Sequence, residues 1–396
     1  MYGIMNGLIG LGMLVKDKYR KEDIGLGNKK VILFGNGKLG KEIAEKLHRA
    51  PDFELVEIWD NDVHKHNHFE INRYLIKAPQ KYAGISVLIG VYYFVDEIKK
   101  DLIDKYDFPE KEILDWHDIK KIIKNRIITD YHDDNDHEIQ EIISNLKNND
   151  LEVFNYEFTK KYHDYYVDIS WDSNIKLFFA EWNEKKIYFR RSMDKQHCLN
   201  YMRQILMEQD PQSPHYYNAD GILLKDGAVA IDAGAAEGIF GLSLIDKIEK
   251  LFLVECDEEW IEALRYTFAP YGKKVEIISR KLSDIADEEH TTIDAMIRGG
   301  RLDVVKMDIE GYEAKVISGM QKTILYQSDF LALVCAYHNS DDEVNLSYQL
   351  EKMGFSLSYS RGYMYFEFMD KIVPQLVKGL ILAAKGEYLA KPFLRR

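Results

Sequence analysis

Two carboxylates and a histidine stand in this chain where acid–base chemistry or cation binding needs them. Asp308-Ile309-Glu310-Gly311-Tyr312-Glu313 follows the apolar run Val304-Val305-Lys306-Met307, and Tyr337-His338-Asn339-Ser340-Asp341-Asp342 follows the apolar run Phe330 to Ala336. Charge at the end of a buried strand costs desolvation, so it normally serves a purpose. His338 and Asp308, side by side on neighbouring strands, are the candidate proton acceptors. Helix capping by Glu310 and Glu313 is the plainer alternative. A second set of residues surrounds a bend, where Ile231-Asp232 runs into Ala233-Gly234-Ala235-Ala236-Glu237-Gly238. Gly234 and Gly238 let the backbone approach a ligand closely. Ala235 keeps its side chain out of the way, and Asp232 and Glu237 offer acceptors to a cationic or amino group. Glu255 closes the next apolar run 21 positions after Gly234, where a strand-end carboxylate takes both hydroxyls of a ribose. Ser283 and Asp284 follow a third run and either bond an adenine amino group or cap a helix. No tight His, Cys or carboxylate spacing selects a metal, so none is assigned.

For these residues to meet, their strands must lie in one parallel sheet with ligands beyond the carboxyl ends. The pattern supplies such a sheet. Strands are expected at 228–232, 251–254, 275–278, 302–307 and 330–336, with helices at 240–248 and 259–268. A closing hairpin of 355–359 and 363–368 turns at Ser360-Arg361-Gly362, which predicts a doubly wound α/β domain over residues 221–372. Upstream, 176–180 and 186–189 read as a hairpin turning at Asn183-Glu184, followed by a helix over 195–207 and a Pro-containing loop over 208–217. The spacing around Gly234 is not Gly-x-Gly-x-x-Gly. It leaves room for adenosine and methionine and offers less to a pyrophosphate.

The same kind of event occurs earlier. Lys30 to Phe34 runs into Gly35-Asn36-Gly37-Lys38-Leu39-Gly40, and a second strand from Leu55 to Trp59 ends at Asp60, 25 positions after Gly35. This is the context a dinucleotide fingerprint requires, so Gly35, Gly37, Gly40 and Asp60 form a candidate site for a nucleotide, NAD or a nucleotide-sugar. The domain, residues 28–125, resembles the small nucleotide-binding-like domains of sugar-modifying proteins. The chain thus divides into an N-terminal segment (1–27), a Rossmann-like α/β domain (28–125), a linker and hairpin region (126–220) with an acidic surface loop at 130–137, the second α/β domain (221–372) and a helical tail (373–396).

A net charge of −13 repels a phosphate backbone, and no basic patch overrides it, which argues against nucleic acid as a partner. Cys198, Cys256 and Cys335 are too scattered for a disulfide framework and read as reduced thiols of a cytoplasmic protein. No apolar stretch is long enough to span a bilayer. Peripheral contact of the Lys- and Arg-containing tail with a membrane surface is the minor alternative to a packed terminal helix.

The sequence resembles the FkbM family of S-adenosylmethionine-dependent methyltransferases. The resemblance rests on Ile231-Asp232-Ala233-Gly234-Ala235-Ala236-Glu237-Gly238, Glu255, Lys306-Met307-Asp308-Ile309-Glu310-Gly311-Tyr312-Glu313 and Tyr337-His338, with the Asp-Ile-Glu-Gly-x-Glu string the most specific element. Glu208 to Tyr216 looks like the stretch preceding the cofactor domain in some members, so the likeness covers about residues 185 to 370. It implies a seven-stranded class I methyltransferase domain, S-adenosylmethionine as cofactor, and O-methylation of a sugar or glycan-like acceptor in polysaccharide biosynthesis. Ala235-Ala236 stands where many members carry Ala-Asn, and Glu255-Cys256-Asp257 where many carry Glu-Pro; neither change removes a required donor or acceptor. Two rival readings remain: an NAD(P)-dependent oxidoreductase acting through Gly35 to Gly40, and a non-enzymatic nucleotide-sugar-binding or interaction protein.

Overall fold

The computed structural model describes residues 29–37, 40–41, 43–44, 53–67, 74–91, 94–217, 224–339, 341–366 and 375–390. The expected N-terminal segment, most of the helix after Gly40, and Ser340 lie outside them. The described chain forms two compact units, one of residues 1–155 with 365–376 and one of residues 156–364 with 377–396.

The first unit is built on strands β1 (Lys29–Phe34), β2 (Phe53–Trp59), β3 (Ile76–Lys77), β4 (Ser86–Ile89) and β5 (Ile113–Leu114), hydrogen-bonded in the order β3-β2-β1-β4-β5 and parallel throughout. Ile32, Phe34, Val87 and Ile89 pack with Leu102 of the helix Val95–Asp104 and with Phe108. The unit runs to Asn155, beyond the expected boundary at 125. The acidic stretch 130–137, expected as a linker loop, is the turn between helices Trp116–Asp130 and His137–Leu146. Asp115 caps the first of these through a reciprocal box with Asp118, and Asp136 caps the second. The second buries Ile139, Ile142, Ile143 and Leu146, an i, i+3, i+4, i+7 stripe that fixes its inner face.

The second unit opens with an antiparallel meander of β6 (Ile169–Asp172), β7 (Leu177–Trp182) and β8 (Lys185–Tyr188). Its β7–β8 turn, Asn183-Glu184, has φ of 48° and 63°, the double left-handed geometry that matches strand twist. The helix Lys195–Glu208 follows, capped by Asp194. Then come β9 (Ala228–Ala233), β10 (Ile248–Glu255), β11 (Val275–Ser279), the short parallel pair β12 (Lys281–Leu282) and β13 (His290–Thr291), β14 (Val304–Met307), β15 (Phe330–Cys335), β16 (Ser356–Tyr359), the short pair β17 (Met364–Phe366) and β18 (Gln375–Val377), most of whose residues belong to the first unit, and β19 (Leu380–Lys385).

The main sheet has the order β11-β10-β9-β14-β15-β19-β16, with β19 antiparallel to both neighbours. Two expectations are corrected here. The partner of β16 is β19, not the segment 363–368, whose described part forms β17 and pairs with β18. The tail 373–396, expected to be helical, contributes β19 to the sheet, between β15 and the edge strand β16. Leu380 to Ala384 is buried at every position, and a strand covered on both faces reads as a continuous apolar run, which periodicity alone does not separate from a buried helix. Among the described residues no helix is long and apolar enough to cross a membrane.

Candidate functional site

Asp232, Glu255 and Asp308 lie at the carboxyl ends of adjacent strands, and Asp284 follows β12 outside the main sheet. β9 ends at the glycine bend, β10 at Glu255 and β14 at Asp308, and His338 lies beyond β15. The bend is closed by contact with its neighbour strand. Gly234 has φ +72°, and a Cβ there would sit 1.9 Å from the carbonyl oxygen of Asp308. Its amide, with that of Ala235, donates to Val254 O. Gly238 starts the helix Ile239–Leu244 directly against Leu264 and Phe268 of the next helix.

Asp232 does not open toward a ligand. It is fully buried, its Oδ2 accepts from the Gly241 amide at 3.2 Å, and its Oδ1 lies 3.1 Å from Lys306 Nζ. Lys306, a lysine inside an otherwise apolar strand, also donates to Gly234 O at 2.7 Å. Burial opposes its charge, but the Asp232 and Asp308 carboxylates hold its pKa above the ordinary lysine value. Asp232 and Lys306 therefore brace the bend from beneath. Glu237 is buried and accepts from Tyr201 Oη at 2.6 Å. Glu255 sits at the rim, with Oε2 taking the Ala236 amide at 3.0 Å and Oε1 the Cys256 and Asp257 amides at 2.7 and 2.9 Å. Ser283 is buried, with its Oγ donating to Asp284 Oδ1 at 3.0 Å. No helix begins there, which removes the capping alternative for this pair.

Asp308 and His338 meet, as their strand-end positions predict, but not as acid and free base. His338 Nε2 lies 3.3 Å from Asp308 Oδ1, and its Nδ1 lies 2.9 Å from Oε1 of Glu313. Glu313 is fully buried and also takes the Ile309 amide. Burial works against a charged imidazole, but hydrogen bonds and charge from Asp308 and Glu313 hold His338 well above its ordinary value. Both ring nitrogens face carboxylates, an arrangement that favours the charged ring over one that accepts a proton. Asp308 is held well below the usual carboxylate range: burial raises it, but the His338 hydrogen bond and the charges of Lys306 and His338 prevail. Tyr217 Oη donates to Asp308 Oδ2 at 2.8 Å.

Several members of the cluster were not among the expected site residues: Lys306, Glu313, Tyr217, His215, Glu208 and Tyr337. Lys306 had a visible signal, a charge in a buried strand. Glu208 and His215 had only the likeness of the stretch Glu208 to Tyr216 to one found in some family members, and Tyr217 had none. His215 Nε2 contacts Tyr337 Oη at 2.8 Å, and burial, against the pull of Asp308, lowers its pKa to about 4, so it is neutral. Two donor sets each converge within 4.8 Å, His215 with Asp308 and Cys335, and Glu313 with His338 and Asp342. Their histidines are held in place by Tyr337 and by Glu313 respectively.

In the first unit the candidate nucleotide residues are brought together. Gly35 has φ +106°, and a Cβ on Gly40 would lie 1.8 Å from Gly35 O. Gly37 is exposed. Asp60 accepts from the Asn36 amide, the Asp62 amide and Lys65 Nζ, each at 2.9 Å. Its carboxylate thus ties its own loop to the glycine turn, and a ribose would have to compete with Lys65.

A mostly parallel seven-stranded sheet with one antiparallel strand inserted beside its edge, carrying a glycine bend and acids at its carboxyl ends, defines a methyltransferase-type α/β domain. The chain belongs to the FkbM methyltransferase family: the family's "Methyltransferase FkbM domain" matches residues 163–376, more than half of the chain. Comparison with curated proteins gives no match. Among solved structures, the chain is similar to precorrin-6y C5,15-methyltransferase from Geobacter metallireducens (13% identity over 42% of this chain and 84% of that one, TM-score 0.28). It is also similar to TYW2 from M. jannaschii in complex with AdoMet (15%, 52% and 84%, TM-score 0.30). A third similar structure is an rRNA methylase from Streptococcus thermophilus (13%, 44% and 97%, TM-score 0.31).

Proposed function

We propose that this methyltransferase binds S-adenosylmethionine at the rim formed by β9, β10 and β14 and methylates a hydroxyl of a sugar or glycan-like acceptor. The observation that carries the reading is an excess of buried carboxyl groups over cations. Glu208, Asp232, Glu237, Asp308 and Glu313 cluster around two cations, Lys306 and His338. Burial and mutual repulsion raise Glu208 and Glu237 above their ordinary values. Uncompensated charge in such a place is costly unless a cation joins it, and a ligand carrying a sulfonium and an ammonium supplies that charge. The cofactor, when bound, supplies an electrophilic methyl group.

The chain's own residues do the rest. The bend Gly234-Ala235-Ala236-Glu237-Gly238 admits the ligand against bare backbone. Glu255 faces the ribose hydroxyls, and Ser283 and Asp284 stand toward the base. Asp308, fixed by His338 and Tyr217, holds a permanent negative charge at the acceptor side. In-line methyl displacement needs alignment above all, and a rim of hydrogen-bonded side chains on strand ends provides it. The FkbM relationship is what supports a sugar acceptor in this reading.

The test is calorimetry with S-adenosylmethionine and with NAD. The reading requires saturable binding of the former by wild type, weakened at least severalfold in Glu255→Ala. Tight NAD binding sensitive to Asp60→Ala, with no binding of S-adenosylmethionine, returns the oxidoreductase reading. Absence of binding by both returns the non-enzymatic one. Labelled-cofactor transfer to glycan fractions, read by mass spectrometry, then identifies the acceptor.

A further inference from the structure

Glu208 ends the helix Lys195–Glu208 and points into the cluster just described. Its Oε1 accepts from Gln204 Nε2 at 3.0 Å. Its Oε2 lies 4.0 Å from His215 Nδ1, a buried nitrogen with no hydrogen-bond partner among the described residues. On the other side of the His215 ring, Nε2 lies 3.9 Å from Asp308 Oδ2. Glu208, His215 and Asp308 thus form a row. The two ends of the row are the open groups: the Glu208 and Asp308 side chains keep 20% and 23% exposure, whereas those of Asp232, Lys306, Glu313 and His338 keep 7% or less. An oxygen at ordinary hydrogen-bond distance, about 2.8 Å, from both Glu208 Oε2 and His215 Nδ1 would bridge them at roughly 90°, a geometry open to a hydroxyl.

We propose that Glu208 is the proton-exchanging group of this site: it gives up its proton as the cationic cofactor binds and then, ionised, accepts the proton of the acceptor hydroxyl. The inference rests on the S-adenosylmethionine reading above. The groups facing Glu208 are His215 from the following loop, Asp308 after β14, Glu237 after β9, Tyr337 after β15 and, from its own helix, Tyr201. At neutral pH His215 is neutral, Asp308 is ionised, and both tyrosines, held well above their ordinary values, are protonated. Burial pushes Glu208 up, the Gln204 hydrogen bond pulls it partly back, and Asp308 and Glu237 add to the rise, leaving it at about 7. A nearby sulfonium favours the carboxylate and releases the proton to solvent. In the transfer, the acceptor O–H bond breaks and its proton goes to Glu208. The oxygen's electron pair forms the new O–C bond, and the pair of the breaking S–C bond stays on sulfur.

The experiment needs no acceptor. Calorimetry of S-adenosylmethionine binding to the full chain at pH 7, in two buffers of different ionisation enthalpy, counts released protons. Half-protonated Glu208 gives up to about half a proton per site in wild type. S-adenosylhomocysteine, lacking the sulfonium charge, releases fewer. Glu208→Gln releases none and loses the pH dependence of affinity, which in wild type weakens by up to about tenfold per pH unit below 7. Wild-type binding without proton release, or equal release by Glu208→Gln, overturns the role of Glu208 and leaves the cofactor reading intact. Absence of any binding overturns both. The two-buffer comparison on wild type stands even if the variant fails to fold.

Discussion

Lys306→Met is the substitution that best separates a brace from a ligand at the glycine bend. Methionine keeps the apolar stem of a side chain that is 6% exposed and removes the ammonium that lies 3.1 Å from Asp232 and donates to Gly234 O at 2.7 Å. Asp232, fully buried, is then left with the Gly241 amide alone. Removing one partner of a buried ion pair costs about 3–5 kcal/mol, because the remaining charge is uncompensated. For a domain of this size, at about 2–4 °C per kcal/mol, the melting temperature of the second unit falls by roughly 6–20 °C. Asp232→Asn in the same background removes the stranded charge and restores much of the loss, so a double-mutant cycle reads a coupling of about 2 kcal/mol or more. Calorimetric unfolding of the four proteins is the assay. A Lys306→Met shift below about 1 kcal/mol refutes the brace. So does an Asp232→Asn protein of unchanged stability that has lost cofactor affinity, because Asp232 would then be a ligand.

Gly234→Ala places a Cβ 1.9 Å from Asp308 O at φ +72°. With about 1–2 kcal/mol of left-handed strain and about 1–3 kcal/mol of overpacking, it is expected to cost roughly 2–5 kcal/mol and to weaken S-adenosylmethionine at least tenfold, measured by denaturation and calorimetry. His338→Gln leaves Glu313 buried without its counter-ion and is expected to lose about 3–5 kcal/mol at pH 7, measured by urea unfolding. The pH dependence has a definite sign. The raised His338 contributes stability that is full below its unfolded value of about 6.5 and lost as pH rises through its higher folded value. The depressed Asp308 contributes stability present above about 3.9 and lost as pH falls through its folded value. From these two groups, stability should hold between about pH 3.9 and 6.5 and decline progressively above about 6.5, and His338→Gln should lack that decline.

β9, β10 and β14 were legible because each is an apolar run that ends in an acid or a glycine bend, and the strand ends of a parallel sheet share one rim. For the same reason the pairing of Asp308 with His338 is legible in the sequence. Their protonation is not, because it depends on Glu313, whose burial against His338 is a tertiary fact. Asp232 was read as facing a ligand because its cation, Lys306, stands 74 positions away and reaches it only through the pairing of β9 with β14. Glu208 and His215 were hidden for a similar reason: they join Asp308 across some 100 residues of chain. The tail misled because Leu380 to Ala384 has no alternation to mark it as a strand. The helices at 116–130 and 137–146 were obscured by the acidic turn between them, although the stripe from Ile139 to Leu146 was available.

The central claim, that an adenosyl sulfonium occupies the rim of the second sheet, is tested most directly by backbone hydrogen exchange with and without saturating S-adenosylmethionine. Slowed exchange confined to the amides of residues 234–238, 255–257 and 308–309 is the predicted result. Slowing at residues 35–37 and 60–62 instead, or no change anywhere in the second unit, contradicts it.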